Sequence, residues 1–243
     1  MFSVNGKFFT VLSKIGDLFI LNVLWIIGCL PVVTIVTSTA SLYHCCIKCV
    51  RRDRSSVGKE FWRAYKMNLV QGIFCTLILA VLVFLALMYY SYAGAVIGGM
   101  TGTTKEVAFV IGLVVYSVLL LSFAATVPPM LSRFSLKFGK FLELSFLVGL
   151  RHVLRTVFVG AVLVLAFYFT LGNFLMLLFL PAFLAFLATF IYEPILVKYM
   201  PREQAEQGDN WYFEGEDKKE EKRQAAEQRA NVFSTMRNKN KKK

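Results

Sequence analysis

Six apolar runs, at residues 17–30, 32–47, 72–92, 107–130, 153–171 and 174–197, constrain this chain more than any motif in it. A helix needs roughly 20 residues to cross a hydrocarbon core about 30 Å thick. Inside such a core every backbone N–H and C=O must be satisfied by the chain itself, which leaves helices or closed barrels. The period-two alternation of a barrel is absent, so helices are the spanning element. Only 17% of residues are charged, against about 25% in soluble domains. The fold class read from this pattern is all-α: a polytopic transmembrane helical bundle over residues 1–201, with residues 202–243 a charged tail. The start, "MFSVNGKFFTVLSKIGDLF", lacks a compact basic region and a small-residue cleavage site, so the first run is expected to stay in the mature protein.

The segments between the runs sort by charge. Residues 48–68 carry Lys48, Arg51, Arg52, Arg54, Lys59, Arg63 and Lys66 against Asp53 and Glu60, which predicts a cytoplasmic segment. The uncharged, glycine-rich stretch 93–104 is expected outside. The next connection, with Arg133, Lys137, Lys140, Arg151 and Arg155 against Glu143, returns inside. A tight outer turn follows at 171–173, and the tail from Lys198 and Arg202 lies inside. A formal charge of +12 is thereby read as a topology signal, with no nucleic acid expected as a partner. The expected location is the cell membrane, multi-pass, with both termini cytoplasmic.

Pro31 decides the count of crossings. As one helix, residues 17–47 would leave Lys7 and Lys14 outside, against the bias of the rest. Proline has no N–H, clashes with the preceding turn and disfavours a helical Leu30, so it suits the break of a hairpin. The hydroxyls of Thr34, Thr37, Ser38, Thr39 and Ser41 can satisfy backbone groups that the break frees. The reading is six helical segments, with a kinked single span and five crossings as the alternative. A short, proline-interrupted pair also marks binding sites in transporters, although no second pair or inverted repeat accompanies this one.

The run "IGDLFILNVLWIIGCLPVVTIVTSTASLY", then "FWRAYKMNLVQG" and "LSRFSLKFGKFLELSFLVGLRHVLRT", resembles the YesL-like family of bacterial membrane proteins, a domain of unknown function found mostly in Firmicutes. The resemblance covers about residues 1–199 and is most specific at Asp17, Asn22, Pro31, Thr34, Ala40 and Tyr43. It departs at "TIVTST", where the family usually has a glycine. It implies a plasma-membrane protein without settled activity, often encoded near sugar ABC-transporter components and two-component regulators. ABC-transporter subunits or a sensor protein are the protein partners it suggests, beside the lipid bilayer.

Several side-chain groups have chemistry to weigh. In "HCCIKC", Cys45, Cys46 and Cys49 share helix faces and are the candidate metal or redox ligands. One cluster supplies only part of a site, and cysteine is readily buried as a small apolar residue, which is the preferred reading. Glu193 is expected to form a structural ion pair with Lys198 or Arg133, with a coupling-ion or proton site as the alternative. Together with Asn22 and Thr34 it makes up the candidate intramembrane polar site; Asn22 and Asn68 read first as interhelical glue. Asp17 is expected to cap a helix or pair with Lys14, and Pro128 and Pro129 to end or kink the fourth segment.

Residues 135–156 place leucines and phenylalanines among Lys137, Lys140, Glu143, Arg151 and Arg155. That suits one helix lying on the anionic inner leaflet, or else docking a partner such as a transporter's ATPase. His152 within it reads as a surface residue. The tail is expected to be disordered, or a marginal helix around 216–233, with its lysine end near lipid.

No phosphate-binding glycine loop, zinc-protease motif or nucleophile–base pair is present, so no enzyme activity and no cofactor are expected. The functional expectation is a non-enzymatic accessory or regulatory protein in carbohydrate uptake. A small transporter or channel is the alternative, and would need a polar cavity near Glu193, Asn22 and the 34–41 hydroxyls. A metal-dependent redox protein is a third class, and needs further ligands around the cysteines.

Overall fold

A computed structural model describes residues 4–52, 55–97, 104–134 and 136–199. In chain order its helices are α1 (Val4–Cys29), α2 (Ile35–Cys45), α3 (Val57–Ile97), α4 (Thr104–Leu131), α5 (Phe138–Arg151), α6 (Val153–Gly172), α7 (Phe174–Leu177) and α8 (Leu180–Tyr199). A 3₁₀ turn, Val32–Thr34, leads into α2, and a π-helical turn, Cys46–Arg51, leads out of it. There is no strand among the described residues. Residues 1–193 form one compact unit; of a second, residues 194–243, only the end of α8 is described. The tail from 202 lies outside the described residues, as does half of the glycine-rich stretch, 98–103.

Among the described residues, six helical segments are long and apolar enough to cross a membrane. The first two form an antiparallel hairpin, not a kinked rod, because their contacts keep one register about Pro31. Thr34 Oγ1 donates to Gly28 O at 2.8 Å, Ser38 Oγ to Trp25 O at 3.0 Å, and Trp25 Nε1 to Thr39 Oγ1 at 3.2 Å. Close approach needs small residues. A Cβ on Gly28 would lie 2.7 Å from Ser38 Oγ, and one on Gly72 of α3 only 2.0 Å from Thr37 Oγ1. Hydroxyl-bearing α2 thus lies against glycines of the helices on either side, as small residues do at membrane helix interfaces.

Burial runs opposite to apolarity. The segment Val32–Arg51 is the least apolar of the six, and 72% of an 18-residue stretch within it is buried; the corresponding share in the strongly apolar Val107–Leu131 is 6%, its buried residues gathering at the end, among them Ala125, Val127, Met130 and Leu131. A water-soluble core would reverse this order. Lipid is the solvent that accepts the exposed Val81, Phe84, Leu87, Ile111, Val114 and Val115.

Four boundaries differ from the sequence expectations. The third helix begins at Val57 and not near 72, so half of the basic segment 48–68 is helix. At 1.5 Å per residue its 41 residues extend about 60 Å, so that its charged first turns need not lie in the hydrocarbon. The last run is interrupted at 178–179: α8 starts at Leu180, with Pro181 in its first turn where a missing N–H costs least. The amphipathic helix stops at Arg151, His152 forms the junction, and Arg155 belongs to the first turn of α6. Finally, α4 continues through Pro128 and Pro129 to Leu131.

The shorter α5 is amphipathic as expected. Phe141, Ser145, Val148 and Gly149 are buried on one face, and Ser122 Oγ of α4 donates to Gly149 O at 3.1 Å. Phe146, Leu147 and Leu150 are exposed, alongside Lys137, Lys140 and Arg151.

Candidate functional site

The three residues of the sequence-derived polar site occupy separate places. Pro181 cannot donate to the carbonyl of Leu177; Asn22 Nδ2 does so instead at 2.9 Å, and its Oδ1 accepts the Ala182 N–H at 3.1 Å. Asn22 therefore bridges the gap where α7 gives way to α8. Thr34 Oγ1 lies within hydrogen-bonding reach of Gly28 O and of Pro31 O, 2.7 Å away, carbonyls at the other proline break. Glu193 accepts both its contacts from Arg133 Nη2, each at 2.5 Å, and Arg52 Nη2 lies 3.9 Å off. Ala182 and Glu193 are eleven residues apart on α8, about 16 Å along the axis, so Asn22 and Glu193 do not converge.

A second carboxylate, which the sequence reading took for a loop acid, is equally enclosed. Glu60 is 5% exposed. Its Oε1 lies 3.2 Å from His44 Nε2 and accepts from Lys48 Nζ at 2.9 Å and Arg63 Nε at 3.0 Å, with Arg63 Nη2 also in contact. Its Oε2 accepts from Ser55 Oγ at 3.3 Å. A buried carboxylate is tolerated only with such partners. The signal for it was the spacing of His44 and Lys48, one α-helical turn apart, and of Glu60 and Arg63 at i and i+3.

The π-helical turn ties the two carboxylates together. It carries Lys48 to Glu60 and sets the guanidinium of Arg51 4.6 Å from the ring centre of Phe190. Arg52, immediately after it, reaches Glu193. Widening the turn redistributes the basic side chains of Lys48, Arg51 and Arg52, and π turns recur at functional sites.

The cysteines of this turn and of the end of α2 are inside. Cys45, Cys46 and Cys49 are buried with Leu21, Leu42, Val50 and Phe61, and Cys46 Sγ faces Ala182 O at 3.8 Å. Among the described residues no three or more His, Cys, Asp or Glu side chains converge as metal ligands would.

One family model matches, over residues 18–92: a protein of unknown function, DUF624. Among curated proteins and among solved structures nothing matches. The DUF624 segment holds the hairpin, the π turn and Glu60 with its partners. Arg133, Glu193 and α5 lie beyond it.

Beside the charged cluster is a cavity of about 310 Å³, lined by residues of α1, α2, α3, α4, α6 and α8. Its walls are overwhelmingly apolar, including Leu42, Val159, Leu184 and Ala188. The exceptions are Thr39, Trp25 and two tyrosines, Tyr43 and Tyr192, which are 2% and 1% exposed. Such a lining does not hold a file of water. The arrangement can clamp helices through charge and enclose an apolar group.

Proposed function

We propose that the protein is a non-enzymatic accessory or regulatory component of the cell membrane that docks on a membrane partner through its helices. The observation carrying this reading is that Asn22, Thr34 and Glu193 engage the chain's own backbone or Arg133, while the adjoining cavity has apolar walls. Transport paths need polar groups turned toward the permeant. The small transporter or channel is accordingly the second reading.

The setting in carbohydrate uptake, with ABC-transporter subunits or a sensor as partner, rests on the resemblance to the YesL-like family. Both termini are assigned to the cytoplasm on the basic residues of 48–68 and of the α5 region. The exposed Phe146, Leu147 and Leu150 of α5, flanked by Lys137, Lys140 and Arg151, form an inner-leaflet face from which docking can be organised.

Affinity capture of the intact protein from native membranes in mild detergent tests this. The expected result is stoichiometric recovery of an ABC-transporter membrane subunit or a membrane sensor kinase. Recovery of the protein alone, together with sugar flux in proteoliposomes containing nothing else, would establish the transporter instead.

A further inference from the structure

A second cavity, about 390 Å³, forms a groove between α6 and α8, lined among others by Phe158, Leu187 and Phe190. It shares Val159, Leu163, Leu184 and Ala188 with the first cavity, so the two adjoin across these side chains. Leu163, Leu187 and Phe190 are 44–50% exposed, which opens the groove to the surrounding lipid.

Three observations define what fits. On α8 the lining runs from Pro181 to Tyr192, a rise of about 16 Å, which matches the roughly 15 Å of hydrocarbon in one leaflet, half of a 30 Å core. At one end of that path the exposed Arg51 lies over the Phe190 wall. Near the same end the buried hydroxyls of Tyr43 and Tyr192 have no hydrogen-bond partner among the described residues. Buried hydroxyls in native structures ordinarily find one.

We propose that the groove and cavity bind one acyl chain of an anionic glycerophospholipid. The chain lies along α8 toward Pro181, an ester carbonyl accepts from the tyrosine hydroxyls, and the phosphate meets Arg51. This site is independent of any protein partner.

The test is native mass spectrometry of the full chain after exchange between detergent and nanodiscs of phosphatidylglycerol or phosphatidylcholine. One retained phosphatidylglycerol per chain is expected. Ala188→Trp, which fills the shared wall, abolishes retention; Tyr43→Phe with Tyr192→Phe, which keeps the packing, weakens it about tenfold, the effect of 1.4 kcal/mol. Arg51→Gln reduces the preference for phosphatidylglycerol about fivefold, the worth of one basic side chain at an anionic surface. Equal retention by Ala188→Trp and by the double phenylalanine variant overturns the proposal. A photoreactive residue replacing Leu187 distinguishes the occupant: a lipid adduct supports the site, and an adduct to another protein overturns it.

Discussion

The hairpin helix α2 and the outer helix α4 are both long enough, with their flanking turns, to cross a bilayer, yet they use opposite chemistry. The first is rich in Thr and Ser, with 72% of an 18-residue stretch buried; the second is rich in Val and Leu, with 6% of its apolar stretch buried and its burial confined to the end from Ser122 onward. Helices in lipid gain nothing from hiding leucine, since the tails outside are equally apolar. They gain from close backbone approach and from satisfying polar groups on each other. The contrast teaches that hydroxyls, glycines and clamped carboxylates are drawn into the interior beside its apolar packing, and that the greasiest helix stretches are its solvent-facing coat.

That contrast is open to attack from both sides. The largest effect is expected at the charge clamp. Glu193→Gln leaves Arg133, itself 9% exposed, without its carboxylate partner, and breaking a buried pair from one side costs about 3–5 kcal/mol. A thermal-unfolding midpoint in detergent unchanged from wild type would remove the clamp from the account. Next comes the coat. Val115→Arg on α4, a position 52% exposed, should cost about 2.5–3.5 kcal/mol near the middle of a span. Glycosylation-based insertion assays measure it, and a neutral outcome would mean that this face meets water.

Smaller effects sharpen the interior. Gly72→Ala puts a methyl against Thr37 and should destabilise by about 1–3 kcal/mol. Gly16→Ala, with open space around its Cβ, should instead stabilise by about 0.4–1 kcal/mol. Equal responses of the two in denaturant titrations would deny the close α2–α3 approach. Thr34→Val removes the donor to Gly28 O and Pro31 O and should cost about 0.5–1.5 kcal/mol. A change near zero would make the hydroxyl dispensable to the hairpin.

Much of this architecture was readable beforehand because lipid imposes one-dimensional rules. Run length marked the spans, and Pro31 followed by hydroxyl residues marked the hairpin whose carbonyls Thr34 and Ser38 then satisfy. The amphipathic α5 was legible from its leucine and phenylalanine spacing, though its end at Arg151 was not, since the same composition continues through Arg155. The break at 178–179 was hidden for a similar reason: Phe174 to Leu187 is apolar throughout, and hydropathy does not register a helix boundary inside lipid. Glu60 was missed because its partners come from the end of α2, from the π turn after it and from α3 itself, among basic residues that read simply as a loop.

What the amino-acid order settled alone was that apolar helices make up the chain and which connections are basic, because crossing a hydrocarbon layer depends on local length and charge. Which carboxylate meets which guanidinium, that Asn22 mends the gap before Pro181, and that an apolar cavity opens between α6 and α8 were decided only by packing. Those contacts join residues up to 160 positions apart, and no local pattern encodes a partner at that distance.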